Sequence, residues 1–260
     1  MKILIIGDIY GKTGREALAE FLPQLKETYE PDWIIANGEN LTAGNGISAR
    51  HNRFLKETGV HVVTTGNHLF ARQDWQEVVS RNENILRPHN LGEIDAPGSG
   101  LKIFQHEAVP ESRIAVINLA GRVFMQRCRC PFMTIDELLA QVEKNIPIIV
   151  DFHAEATSEK LAMFWYLNGR VSAVVGTHTH VQTSDERILP GGTAVISDLG
   201  MTGARDGILG VDRETIIGRF VKGYSDKFLC AVGIKKIEGV VIETDSSNQS
   251  TQIQRFRLQS

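Results

Sequence analysis

Eight side chains able to hold a metal ion or move a proton stand at the ends of short apolar runs. Asp8 follows KILIIG, Glu39 and Asn40 follow WIIANG, and Asn67 and His68 follow HVVTTG. Further on, His153 follows IIVDF, while His178 and His180 sit in GTHTH after VSAVVG. In an open α/β sheet, ligands bind in the crevice beyond the carboxyl ends of the strands, so five such ends describe one convergent site. Each residue alone carries little weight. A buried aspartate after a strand more often serves a turn or a helix cap, and a lone histidine is usually hydrogen-bonded structure. GTHTH is stronger, because alternate positions on extended backbone point the same way.

Carboxylate, amide and imidazole donors without a thiolate argue against a structural cysteine-type zinc site. They fit manganese, iron or zinc in an open catalytic centre. One carboxylate, Glu39, could bridge two ions with the remaining donors divided between them. Two metals about 3.5–4 Å apart stabilise both the attacking and the leaving oxygens of an in-line phosphoryl displacement, so the chemistry suggested is phosphoester hydrolysis. GDIYGKT, residues 7–13, invites a competing reading as a phosphate-binding P-loop. That motif needs four residues between its first glycine and Gly-Lys-Thr, and here there are three, Asp8 among them, which would set a carboxylate against the phosphate. Lys12 then reads as a solvated helix residue and Thr13 as a helix cap.

The elements that must position these groups are legible as runs. KILIIG (2–7), WIIAN (33–37), HVVTTG (61–66), RIAVINL (113–119), IPIIVDF (146–152), VSAVVG (171–176) and TAVIS (193–197) read as strands, several of them apolar throughout and so covered on both faces. Helices are predicted over 13–29, 48–58, 157–167 and from Asp212 to about Val221. Thr134-Ile-Asp-Glu137 reads as a capping box opening DELLAQVEK. FLCAVGIKKIEGVVIETD and TQIQRFRLQ read as consecutive antiparallel strands turning at Glu238-Gly239 and Asp245–Asn248. Residues 88–112 and 120–133 read as loop-rich excursions, and no linker-like stretch separates two domains.

With 260 residues the chain can bury a sizeable core, and its 42% hydrophobic and 23% charged residues are ordinary for a globular protein. A formal net charge of −3 leaves no global basic field to hold long nucleic acid. No apolar run reaches the roughly 18 residues of a membrane span, and MKILIIGD turns polar too early for a signal peptide. The expected location is the cytoplasm. Cys128, Cys130 and Cys230 form no zinc-type pair and read as structural or incidental.

GDIYG, NGEN, GNH, DFHAE and GTHTH, in this order, resemble the motifs of the calcineurin-like metallophosphoesterases. DFHAEATSEK, VVGTHTHVQT, GMTG and DGILGVDRETII extend the resemblance to the bacterial YmdB-like branch over most of the chain. Tyr10 stands where the broad superfamily has histidine, and Glu39 where it has the bridging aspartate. These departures also occur in the YmdB-like branch, and they make Asn40 a candidate replacement ligand. The resemblance implies a single domain over 1–260 with a four-layer αββα sandwich of two mixed sheets. It implies two transition-metal ions, iron or manganese before zinc. Asp8, Glu39, Asn40 and His180 would hold the first, and Glu39, Asn67, His153 and His178 the second. The implied activity is hydrolysis of small cyclic nucleotides, 2′,3′-cyclic nucleotides above all, by metal-activated hydroxide attack on phosphorus with His68 as proton donor.

Other residues rank lower. Asp74 lies near His68 in sequence, Thr179 could meet substrate, and Glu155, Ser158 and Glu159 read as the start of a helix. Arg122, Arg127 and Arg129 could reach phosphate from a loop. Two rival functions remain at this point: a regulatory protein that binds a nucleotide or RNA end through the metal site with slow turnover, and a metal hydrolase of another bond. The second fits poorly, since its H-x-H usually comes on the first strand. The expected partner is a small phosphodiester, with no long nucleic acid and no membrane, and self-assembly is left open.

Overall fold

The computed structural model describes residues 1–260 other than 94, 107, 144, 225 and 226. Its strands are β1 (Lys2–Ile6), β2 (Asp8–Ile9), β3 (Trp33–Asn37), β4 (Val62–Thr64), β5 (Leu101–Gln105), β6 (Arg113–Ala120) and β7 (Ile148–His153). They continue with β8 (Ala173–Thr177), β9 (Arg187–Ile188), β10 (Ala194–Ile196), β11 (Met201–Ala204), β12 (Lys235–Thr244) and β13 (Ser250–Gln259). The helices are α1 (Gly11–Tyr29), α2 (Ala49–Thr58), α3 (Trp75–Arg81), α4 (Pro131–Leu139), α5 (Thr157–Leu167) and α6 (Arg213–Lys222).

Two mixed sheets result. One follows the order β2-β11-β12-β1-β3-β4, with β13 paired to β12; the other runs β5-β6-β7-β8-β10-β9. Parallel pairing at β1–β3–β4 and at β6–β7–β8–β10 points all these strands toward one rim. Three apolar cores explain the layering. Ile3, Ile5, Ile35 and Val240 of the first sheet meet Val116, Ile149, Val175 and Ile196 of the second. Leu4, Ile6 and Ile34 face Leu18, Leu22 and Leu55 of α1 and α2, while Val150, Phe152 and Val174 face Ile135, Met163 and Phe164 of α4 and α5. Each central strand is apolar on both faces because each face meets a different layer. The four-layer αββα sandwich is therefore present.

Local differences have local causes. Helix α4 starts at Pro131, whose ring suits a first helical position, so Thr134 lies buried inside the helix and caps nothing. The helix ends at Leu139, and Lys144, at the end of DELLAQVEK, lies outside the described residues. Thr13 likewise sits inside α1, where its hydroxyl donates to the Ala231 carbonyl at 2.8 Å. No turn forms at Glu238-Gly239, since β12 runs straight through. Gly239 faces β1 so closely that a Cβ would lie 2.1 Å from the Ile5 carbonyl, and Glu238 is buried against Lys236 and Arg257. Residues 228–234 form no strand of either sheet; they are held by the Val211–Cys230 bridge and by the Arg205 amide, which donates to the Ile234 carbonyl at 2.8 Å. The excursion over 88–112 contains β5, and it is knitted by Arg87, whose guanidinium donates to the carbonyls of Pro88, His89, Leu91, Ala96 and Pro97.

Candidate metal centre

The rim of the parallel strands gathers all eight predicted residues. Asp8 follows β1, Glu39 and Asn40 follow β3, Asn67 and His68 open the short 3-10 turn Asn67–Ala71 after β4, His153 ends β7, and His178 and His180 follow β8. Asp8, Glu39, Asn40 and His153 are fully buried.

The donors fall into two triads that share one carboxylate. Glu39, His153 and His178 form one, Asp8, Glu39 and His180 the other, with the donor atoms of each within 4.8 Å of one another. In the first, His153 Nε2 lies 3.2 Å from Glu39 Oε2, 3.2 Å from Asn67 Oδ1 and 3.1 Å from His178 Nδ1. In the second, His180 Nε2 lies 3.7 Å from Asp8 Oδ1 and 3.2 Å from Asn40 Oδ1. Asp8 Oδ1 and Glu39 Oε1 are buried without a hydrogen-bond partner. A buried carboxylate oxygen left unpaired is costly, so these atoms fit a cation. Hard oxygen donors beside imidazoles suit iron, manganese or zinc.

The two histidines of GTHTH do not reach the site by alternation along a strand. Strand β8 ends at Thr177, and both His178 (φ 102°) and His180 (φ 64°) take left-handed backbone, a conformation that costs a non-glycine residue energy. Instead of pointing together, they serve different triads. What holds this backbone is Asp198. Its Oδ2 accepts from the Thr179 amide (3.0 Å), the Thr179 hydroxyl (2.8 Å) and the buried Lys160 ammonium (2.9 Å), and its Oδ1 accepts from the Gly200 amide. Thr179 thus anchors the turn. A second chain runs Asn37–Asp151–Thr177–His153: Asn37 and Thr177 both donate to Asp151, and Thr177 Oγ1 lies 2.8 Å from His153 Nδ1, leaving Nε2 to face the donors.

Charge follows the same grouping. Burial raises the Asp8 carboxyl above its usual range, with Glu39, Asp198 and Asp151 adding to it. Burial also opposes ionisation of Glu39, yet His153 and His68 outweigh it and hold this carboxylate well below its ordinary value. His153 is raised to about 9 against its own burial, by Glu39, Asp8 and Asp151. Burial lowers His178 to about 3, helped by the nearby His153, and lowers His180 as well.

His68 differs from the rest. Its side chain is 43% exposed and borders a cleft of about 720 Å³ lined also by Tyr10, Asn45, Glu155, Leu209, Lys227 and Phe228. Asp74 pairs with Arg72 rather than with His68. Glu155 does not cap α5, whose cap is Ala156; its carboxylate stands 3.1 Å from His178 Nε2. Glu159 accepts the amides of Arg122 and Val123, fixing that loop. Arg122, Arg127 and Arg129 do not line the cleft. Tyr10 fills a slot in which a Cβ on Gly44 would come 2.5 Å from its hydroxyl oxygen and one on Gly210 2.3 Å from its ring, edge-on to His180. Gly66 matters for a similar reason, since a Cβ there would sit 2.2 Å from both Glu39 Oε2 and His153 Nε2. Lys160, Asp198 and Asp151 escaped the sequence reading; the only local signal was a charged residue interrupting an apolar run, as Asp151 does in IIVDF.

Comparison with known proteins places this geometry. The family described as YmdB-like protein matches residues 4–256. A Bacillus subtilis (strain 168) protein named 2′,3′-cyclic-nucleotide 2′-phosphodiesterase is 46% identical over 260 residues, covering 99% of this chain and 97% of its own length. The crystal structure of a phosphatase from Mycoplasma pneumoniae superposes with a TM-score of 0.93 at 34% identity, covering 100% of this chain and 93% of that one. A Thermus thermophilus protein of known structure gives 0.92 at 35% identity, covering 100% and 99%. With the whole fold shared and the family motifs gathered on one rim, the chain belongs to the YmdB-like family of metallophosphoesterases.

Proposed function

We propose that this chain is a phosphodiesterase acting on small cyclic nucleotides, 2′,3′-cyclic nucleotides above all, with two metal ions at the strand-end site. The observation that carries the proposal is the shared carboxylate: Glu39 belongs to both donor triads, and its Oε1 and Asp8 Oδ1 are buried and make no hydrogen bond, their neighbours being His68 Nδ1 at 3.3 Å and His180 Nε2 at 3.7 Å. Asp8, Glu39, Asn40 and His180 would hold one ion, and Glu39, Asn67, His153 and His178 the other. When bound, such ions supply Lewis-acid polarisation of phosphoryl oxygens and lower the pKa of water.

The chain's own groups do the remaining work. Asn40 Nδ2 donates to the Gly44 carbonyl at 3.1 Å and lies 2.8 Å from His68 Nδ1, which turns Asn40 Oδ1 toward His180. His68 Nδ1 also lies 3.3 Å from Glu39 Oε1, so the ring is held between Asn40 and the shared carboxylate. His68 is the partly exposed imidazole at the cleft, placed to protonate the departing sugar oxygen as general acid. The Thr177–Asp151 chain fixes the His153 ring, and the Asp198–Thr179 contacts fix the turn carrying His178 and His180.

The test is turnover of 2′,3′-cyclic AMP by protein purified without chelator. Asp8→Ala should lose both metal and activity. His68→Ala should keep its metal and lose roughly 10²–10⁴-fold in kcat. A metal-loaded wild type inactive on 2′,3′-cyclic AMP and on a chromogenic phosphodiester, in an assay where a control enzyme works, would sink the reading. Tight nucleotide binding without turnover in that experiment would instead favour a regulatory binding role.

A further inference from the structure

Three histidines face the donor cluster, and the partners of their outer nitrogens set one apart. The Thr177 hydroxyl donates to Asp151 Oδ1 at 2.7 Å, so toward His153 Nδ1, 2.8 Å away, it accepts. His180 Nδ1 lies 3.1 Å from the Leu209 carbonyl, which accepts as well. Both rings therefore carry a proton on Nδ1 and turn Nε2 toward the donors. His178 is reversed. Its Nδ1 is the inward atom, 3.1 Å from His153 Nε2, and its Nε2 meets the Glu155 carboxylate at 3.1 Å. A carboxylate accepts, so here the proton belongs on Nε2 and the lone pair on Nδ1.

Glu155 is held where this contact needs it. It lies in the short connection between β7, which ends at His153, and α5, whose cap is Ala156. Both sides of that connection are tied down: the Ala154 amide donates to the Thr177 carbonyl at 3.4 Å, and the Ala156 carbonyl accepts from the Glu159 and Lys160 amides at 3.1 Å each. The Glu155 side chain is 47% exposed on the cleft wall and makes no other ion pair among the described residues. His178, for its part, sits on left-handed backbone whose amide donates to Asp8 Oδ2 at 3.3 Å. Nothing in that backbone fixes which ring nitrogen turns inward, and among the described residues Glu155 is the ring's only partner outside the donor cluster.

We propose that Glu155 is a positioning residue for His178: its carboxylate holds the proton on Nε2 and aims Nδ1 at the ion shared with Glu39, Asn67 and His153. The proposal rests on the two-ion reading of the site, and it is independent of which ester the site hydrolyses. A carboxylate on the far nitrogen fixes the tautomer and orientation of a histidine ligand and makes the ring more basic, and losing such a partner costs about 10–100-fold in metal affinity. Glu155 touches neither Asp8, Asn40 nor His180, so the effect falls on one ion of the pair.

The test titrates protein purified without chelator against a competing chelator and counts the ions by elemental analysis, with Glu155→Ala and Glu155→Gln beside the wild type. Glu155→Ala should release one ion about 10–100-fold more readily and hold the other as the wild type does. Glu155→Gln should recover most of that loss, because its amide oxygen still accepts from Nε2–H. In the metal-free protein, nitrogen-15 NMR should show His178 as the Nε2–H tautomer in the wild type and Glu155→Gln, and not in Glu155→Ala. Circular dichroism should be unchanged in both variants, since the side chain is half exposed. Equal release of both ions by wild type and Glu155→Ala overturns this proposal alone, as does a glutamine variant as defective as the alanine one. A wild type that never holds two ions overturns the two-ion reading and this proposal with it.

Discussion

Gly66→Ala should disable the site while leaving the sandwich intact. Gly66 has φ −144°, a backbone any residue adopts, so alanine adds no conformational strain. Its Cβ, however, would stand 2.2 Å from Glu39 Oε2, 2.2 Å from His153 Nε2 and 2.4 Å from His153 Cδ2, where ordinary contact begins at 3.4 Å. Something must move by about 1.2 Å. The flanking atoms sit in a fully buried pair that cannot swing away, because Thr177 and Asp151 hold His153 from behind. Metal sites tolerate donor displacements of only about 0.2 Å, and a misplacement of about 1 Å in a catalytic arrangement can cost about 10²-fold. Metal content by elemental analysis should fall well below that of the wild type, and kcat/KM on 2′,3′-cyclic AMP should drop at least about a hundredfold. Far-ultraviolet circular dichroism should be unchanged. A Gly66→Ala protein with full metal and kcat/KM within about threefold of wild type would refute the close packing of Gly66 against the donors.

Further outcomes follow from other contacts. Lys160→Met leaves the Asp198 carboxylate buried without its cation and should cost about 3–5 kcal/mol in urea unfolding, with less than about 1 kcal/mol contradicting the assignment. Tyr10→Phe should leave kcat/KM within about threefold, because burial, with Cys230 adding, raises the phenol to about 12 and no proton transfer is assigned to it; a hundredfold loss would move the proton donor away from His68. Burial, then Arg15, Arg50 and Arg72, lowers His51 to about 4, below its unfolded value of about 6.5. Its contribution to stability is therefore full above about pH 6.5 and lost as pH falls toward 4, so His51→Gln should flatten that part of the stability–pH curve, and identical curves would contradict the shift.

Much of this architecture was legible from the chain alone, for a physical reason. Strands β1, β3, β7 and β8 are buried on both faces and so read as unbroken apolar runs, and polar residues at their ends can only be turns or a site. Asp8, Glu39, Asn40, Asn67, His153, His178 and His180, which the fold brings to one rim, were visible in that way. Features that depend on distant partners were not. Glu238-Gly239 looks like a turn until β1 and Arg257 close over it, and Thr134 looks like a cap until Pro131 starts the helix three residues earlier. Likewise Lys160 and Asp198 lie 38 residues apart and become a pair only through α5 and the strand-end turn. Even GTHTH brings its two histidines to the rim by another route than alternation, since they diverge on left-handed backbone held by Asp198.

The central claim is that Glu39 joins two metal ions. Anomalous diffraction from crystals of protein purified without chelator, collected on both sides of the iron and manganese edges, tests it most directly. Two peaks per chain flanking the Glu39 carboxylate, one beside Asp8 and His180 and one beside His153 and His178, are the predicted result. A single peak, or two peaks of which one lies away from Glu39, would contradict it.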